Sequence, residues 1–181
     1  MALLYLSLIK DDKFEYMKKI LLLSDTHSFI DDQILKYVDM ADEVWHAGDI
    51  GDLQVTDTIK KHRPLRAVYG NIDDKDARVE FKENELFELE GARVFMTHIG
   101  GYPGKYKPRV RDIFASEKPT IFICGHSHIL KVQYDEKYNA LHLNPGAAGK
   151  HGFHKVRTML RFELSNGGIK NLEIIELAKR S

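Results

Sequence analysis

Asp25 and His27 follow directly on an apolar run, residues 20–23, and one serine, Ser24. A carboxylate and an imidazole two positions apart reach one common point if the backbone stays extended, because alternate residues of a strand share a face. The arrangement recurs down the chain. Short apolar runs end at Asp49 in Gly48-Asp49-Ile50-Gly51-Asp52, at Asn71 in Gly70-Asn71-Ile72-Asp73-Asp74, at His98, and at His126 and His128 in Gly125-His126-Ser127-His128. Taken singly, each is also what a helix cap or a hydrogen-bonded loop would carry. Taken together, polar groups delivered to the same end of successive strands mark a candidate site. Nine histidines are more than structure alone usually needs, and imidazole is the commonest metal ligand. No Ser-His-Asp arrangement is apparent.

Those positions need strands to hold them. Residues 20–23 read as a strand buried on both faces. Residues 31–38 have helical spacing, with Ile34, Leu35 and Val38 on one face and Asp31 or Asp32 as cap. Residues 43–47 and 65–69 read as strands and residues 55–62 as a helix. This alternation implies βαβ units, a largely parallel sheet, and ligands at the carboxyl ends of its strands. Residues 81–90 alternate up to a turn at Gly91, residues 93–97 form a strand ending at His98, residues 109–115 a helix, and residues 120–124 a strand. Residues 131–134, 140–143, 158–164 and 169–176, separated by turns, predict an antiparallel meander. The fold class expected is α/β, α+β in part, with two sheets in one domain.

The 181 residues fit one domain with a sizeable core. Lys+Arg and Asp+Glu are both 27, which argues against an extended nucleic-acid surface or a membrane surface and leaves room for a small phosphorylated ligand. The single Cys124 rules out an internal disulfide. With no secretory signal pattern, a cytoplasmic location is expected. Residues 2–9 are apolar but too short to span a bilayer. Residues 1–16 are expected to be an extension without a catalytic role, an added edge strand or association element being the rival reading. Residues 17–181 are expected to form the single domain.

Asp25-x-His27, Gly48-Asp49, Gly70-Asn71, His98 and Gly125-His126-x-His128, in this order, resemble the metallophosphoesterase (calcineurin-like phosphoesterase) superfamily, in its compact bacterial and archaeal phosphodiesterase branch. The similarity runs over residues 17–164. It implies a two-sheet sandwich flanked by helices, in four layers. It implies that Asp25, His27, Asp49 and His128 hold one metal ion and that Asp49, Asn71, His98 and His126 hold a second, with Asp49 bridging. Asp49, Asn71 and His98 would be the catalytic group. The mixed oxygen and nitrogen set suits two divalent transition-metal ions, Mn, Fe, Zn, Ni or Co, better than Ca or Mg. Two such ions leave the site net positive after two carboxylates and a bridging hydroxide, so it attracts a phosphate ester, which the hydroxide attacks in line.

Two departures from the family pattern bear on chemistry. Many relatives have His after the Asn of Gly-Asn, a candidate leaving-group acid; here it is Ile72, which predicts a preference for stable leaving groups such as aryl esters. Relatives often read His-Gly-His where this chain has His98-Ile99-Gly100-Gly101-Tyr102, so Tyr102, Lys105, Lys107 and Arg109 are either pocket-lining or a solvated basic loop. Asn144-Pro145-Gly146 resembles the family's loop beside the metals. Near it, His154 and Arg157 are weak candidates for substrate contact, as is Tyr102. His46 either orients a ligand or is a satisfied core histidine. Trp45 and Cys124 read as packing, and Asp52, Asp73 and Asp74 as caps or supports. A metal-dependent phosphodiesterase acting on a small phosphoester is the leading reading. A phosphomonoesterase with the same metals and a non-catalytic interaction scaffold are its competitors. The natural substrate and any homo-oligomeric state stay open.

Overall fold

Strand β1 (Lys18–Leu23) sits in the middle of a five-stranded sheet, and its last four residues are fully buried. Ile20 and Leu22 point into one apolar cluster, Leu21 and Leu23 into another. An uninterrupted apolar run is the sequence form of a strand with no solvent face. Each such side chain contributes roughly 1.5–3 kcal/mol on burial.

The computed structural model describes residues 17–153 and 155–179. After β1 come α1 (Asp32–Asp39), β2 (Glu43–His46), α2 (Gln54–His62), β3 (Leu65–Ala67) and α3 (Lys75–Glu80). Then follow β4 (Asn84–Leu89), β5 (Ala92–Thr97), α4 (Pro108–Glu117), β6 (Ile121–Ile123), β7 (Lys131–Asp135), β8 (Ala140–Asn144), β9 (Val156–Ser165) and β10 (Gly168–Lys179). Asp31 caps α1 by accepting from the Ile34 N–H at 3.0 Å. Helix α3, which periodicity did not predict, starts at Asp74, whose carboxylate accepts from the Asp76 and Ala77 N–H groups.

One sheet has the order β10-β9-β1-β2-β3, the other β4-β5-β6-β8-β7. Strands β1, β2 and β3 are parallel, as are β5, β6 and β8. Three apolar clusters fix the layers. The first lies between the sheets, around Trp45, Met96, Ile123 and Leu160. The second packs α1 and α2 on the outer face of the first sheet, and the third packs α4 on the outer face of the second through Phe95, Phe114 and Phe122. The result is helices, sheet, sheet, helix: the expected four-layer sandwich.

The expected continuous meander is corrected. β7 and β8 form one hairpin in the second sheet, and β9 and β10 form another beside β1 in the first. Alternation marks both hairpins but carries no record of which sheet a strand joins. The crossing from one sheet to the other lies between β8 and β9. Among the described residues no helix is long and apolar enough to cross a membrane. The expectation for residues 1–16 lies outside the described residues.

Candidate metal centre

The carboxyl ends of β1, β2, β3 and β6 open on one cleft of about 620 Å³, lined by His27, Asp49, Asn71, His126 and His128 among others, and the end of β5 brings His98 to a neighbouring cavity that shares Asn71. Two groups of ligand atoms meet at its floor, Asp25 with His27 and His128, and Asp49 with His98 and His126, Asp25 and His98 being buried behind the lining. In each group the ligand atoms lie within 4.8 Å of one another.

The backbone that presents them is not extended. Asp25, His27, Asp49, His126 and His128 all have φ between 48° and 68°, in the left-handed region, as does Ser28. The strand-like alternation expected for Asp25 and His27 is therefore corrected: the two share a target because the loop turns. Left-handed non-glycine residues cost about 1–3 kcal/mol each and persist where surroundings over-determine them. Here the loops after β1 and β2 are laced together by Asp25 N–H to Gly48 O at 2.9 Å, His27 N–H to Asp49 O at 3.1 Å and Ser28 N–H to Ile50 O at 2.8 Å. His46, fully buried, ties the same loops: its Nδ1 accepts from the Gly48 N–H and its Nε2–H meets Thr26 Oγ1 at 2.9 Å. Burial first of all pushes its pKa down to about 4, so it is a neutral structural imidazole.

The glycines before the ligands are needed for closeness. A Cβ on Gly70 would lie 2.1 Å from Asp49 Oδ1, and one on Gly125 would lie 2.0 Å from Ser24 Oγ. Asp73 joins two of the loops by accepting from Gly51 N–H at 2.8 Å and Gly70 N–H at 2.7 Å. Asn144 holds the third from beneath, donating to Gly125 O at 2.9 Å and Ser127 Oγ at 3.1 Å.

Asp49 stands between the two groups. Its Oδ2 is 3.9 Å from His27 Nε2 and its Oδ1 is 3.1 Å from His98 Nε2. His98 donates from Nδ1 to Ala47 O at 2.8 Å, which leaves the Nε2 lone pair facing Asp49. On the other side, His128 Nε2 lies 3.1 Å from Asp25 Oδ1 and 3.3 Å from His27 Nε2. Asp25 Oδ2 accepts from the His126 N–H at 3.1 Å. Asp25 Oδ1 and His98 Nε2 are buried with no hydrogen-bond partner from outside the two groups, each facing another ligand atom, His128 Nε2 and Asp49 Oδ1. Buried polar atoms are nearly always satisfied, so two orphans aimed into neighbouring ligand groups are what a cation-binding site lacks when described without its ions. The donor set and the orphaned atoms thus fit divalent metal.

Charge follows the same geometry. Burial lowers the pKa of His27 and His126, keeping them in the neutral form that ligates, against the pull of Asp49 and Asp25. For His98 burial is outweighed by Asp49, Asp25 and the Ala47 carbonyl, and its pKa is raised. Burial works to raise the Asp49 pKa, but His98, the Ile72 N–H and His27 hold it below the ordinary carboxylate value.

Asn71 is exposed and lines the cleft beside Ile72. Two of the three weak candidates, Arg157 and Tyr102, are not brought there. Arg157 is buried away from the cleft lining, donating to Ala148 O at 2.6 Å and Asp31 Oδ2 at 2.9 Å and stacking on Phe29. Its charge serves the start of α1. Tyr102 is exposed on the loop before α4, outside the cleft lining. His154 lies outside the described residues. His151 is the residue the spacing undervalued: its ring packs 4.9 Å from that of His27 at the cleft. Its only signal was position, on the crossing segment that passes over the site.

Comparison with known proteins agrees with this geometry. Residues 17–167 match the calcineurin-like phosphoesterase superfamily domain. A Mycoplasma pneumoniae protein named probable metallophosphoesterase is 31% identical over 164 residues, covering 86% of this chain and 96% of that one. Among solved structures, a Thermotoga maritima protein matches with TM-score 0.69 and 27% identity, over 88% of this chain and 99% of its own. A structure described as a novel archaeal phosphodiesterase shares the fold with TM-score 0.66 and 21% identity, over 88% and 99%. Vps29 chains share the fold at lower identity.

Proposed function

The chain belongs to the calcineurin-like phosphoesterase superfamily, and from that membership we propose that it is a metal-dependent phosphodiesterase acting on a small phosphoester. The observation that carries this is Asp49, with one carboxylate oxygen turned toward each of two ligand groups. In this reading Asp25, His27, Asp49 and His128 hold one divalent ion, and Asp49, Asn71, His98 and His126 hold the other. When bound, the pair supplies the positive charge that draws in a phosphoester and makes water acidic enough to serve as nucleophile. The chain's own part is placement. His98 is fixed in one tautomer by Ala47 O, Asn71 is set by a loop that Asp73 clamps, and the His126–His128 loop is held by Asn144.

Diester over monoester is supported by the walls. Above the ligands the cleft carries Ile72, Ile129 and Phe153. A diester has one negative charge and two organic groups to place, whereas a monoester dianion calls for guanidinium or ammonium partners, and the two guanidiniums in the cavity beside Asn71 and His98 are already engaged, Arg78 by Asp73 O and Arg109 by Glu83. Ile72 also stands where a leaving-group acid would be useful, so stable leaving groups are favoured. Protein purified without added metal should contain two transition-metal ions per chain and hydrolyse bis(4-nitrophenyl) phosphate well ahead of 4-nitrophenyl phosphate. The reverse preference would make it a monoesterase. Full metal content with no turnover of any phosphoester would favour the interaction scaffold.

A further inference from the structure

We infer that the apolar rim of the cleft is a recognition site for a flat aromatic ring carried on the phosphoester. This rests on the phosphoesterase reading and names the substrate class it leaves open. The floor of the cleft is polar and belongs to the ligand groups. The mouth is different: Ile72 is 47% exposed, Ile129 64% and Phe153 fully exposed, and all three line this one cavity. A single exposed apolar residue needs no explanation. Three of them around the mouth of one cleft, from three separate loops, form an apolar patch of the kind that marks a ligand site.

The loops place them where an ester group must go. Ile72 follows Asn71, Ile129 follows His128, and Phe153 lies two residues beyond His151, whose ring packs on His27. A phosphate seated on the floor therefore directs its organic substituents between these side chains. Two branched aliphatic side chains and one phenyl ring suit a planar ring better than a flexible alkyl or polyol group, since a ring offers Phe153 an offset or edge contact and loses no internal rotation on binding. The three rim side chains, Ile72, Ile129 and Phe153, carry no hydrogen-bonding group, so the selection they make is for shape and apolarity.

The test uses two non-hydrolysable diester-like probes on the manganese-loaded full chain, diphenylphosphinate and dimethylphosphinate, each with one negative charge and two organic groups, with binding followed by calorimetry. Diphenylphosphinate should bind about tenfold more tightly, a difference of about 1.4 kcal/mol. Phe153→Ala and Ile129→Ala remove no core packing, and each should bring the two probes to within about threefold of one another while metal content stays unchanged. In turnover of bis(4-nitrophenyl) phosphate, Phe153→Ala should raise KM more than it lowers kcat. Equal affinity of the native chain for both probes, or a preference that survives in both variants, overturns the rim's role and leaves the hydrolase standing. Loaded protein that binds neither probe and hydrolyses no phosphoester removes the phosphoesterase reading and the rim with it.

Discussion

Strand β2 starts at one buried carboxylate and leads, three residues past its end, to another, and the two are treated in opposite ways. Glu43 at the start receives Lys18 Nζ at 2.7 Å, Trp45 Nε1 at 2.9 Å and Arg66 Nε at 2.5 Å. Burial works to raise its pKa, but these three donors prevail and hold it below the ordinary value. Asp49 beyond the far end receives the Ile72 N–H and otherwise faces histidines, on left-handed backbone, with an orphaned His98 nitrogen beside it. The amino end of the sheet is satisfied within the protein. The carboxyl end holds strain and unmet polar atoms that only a ligand completes. Glu43 closes its hydrogen bonds within the protein, whereas Asp49 is held among ligand atoms on left-handed backbone.

The strongest way to break that contrast is Asp49→Ala. It should remove both ions together and lower phosphodiester turnover by on the order of 10³-fold or more. The metal-free protein should melt no lower than the metal-free native chain. Metal analysis and melting curves check this, and loss of one ion alone would show that Asp49 is not shared. Glu43→Ala should do the opposite, costing about 1–3 kcal/mol of stability because the buried Trp45 N–H loses its acceptor and Lys18 and Arg66, both partly exposed, lose their ion pairs, while folded molecules keep their metal. Because the Glu43 pKa is depressed in the fold, its contribution is present above the ordinary carboxylate pKa and fades as pH falls through the folded value. Denaturant titrations across acidic pH measure it.

A third buried group sharpens the comparison away from both ends. His142 lies within the second sheet, its Nδ1 3.4 Å from the Tyr106 hydroxyl, and burial first and Lys131 next push its pKa down to about 4. The unfolded chain takes up that proton at higher pH than the folded one. Stability should therefore fall by up to about 3 kcal/mol as pH drops from about 6.5 toward 4. His142→Phe should flatten that slope, as read from melting temperature against pH. The smallest effect is expected at the cleft mouth, where Ile72→His should raise the rate on alkyl diesters relative to aryl diesters by about tenfold by supplying a leaving-group acid. Equal rates on both classes in the native chain would contradict the role given to Ile72.

Much of this was legible before any coordinates. The apolar run of residues 20–23 read as an interior strand, and Asp25, Asp49, Asn71, His98 and His126 read as polar groups delivered at strand ends, because apolar patterning and residue type are local properties of the chain. Local order could not say that β7–β8 and β9–β10 part company to join different sheets, since both hairpins carry the same alternation. Nor could it place Arg157 under α1, or His151 and Phe153 over the ligands, because charge and apolarity do not encode direction.

The amino-acid order by itself determined the strands, the residue types at their ends and hence the chemistry on offer. Only the tertiary structure decided that Asp25 and His128, about a hundred positions apart, lie 3.1 Å from one another, that Asp49 turns one oxygen to each ligand group, and that three apolar side chains surround the mouth above them. The reason is physical. Propensity and periodicity act over a few residues, whereas convergence is set by how two twisted sheets pack across a shared core and by the left-handed turns that packing stabilises at the strand ends.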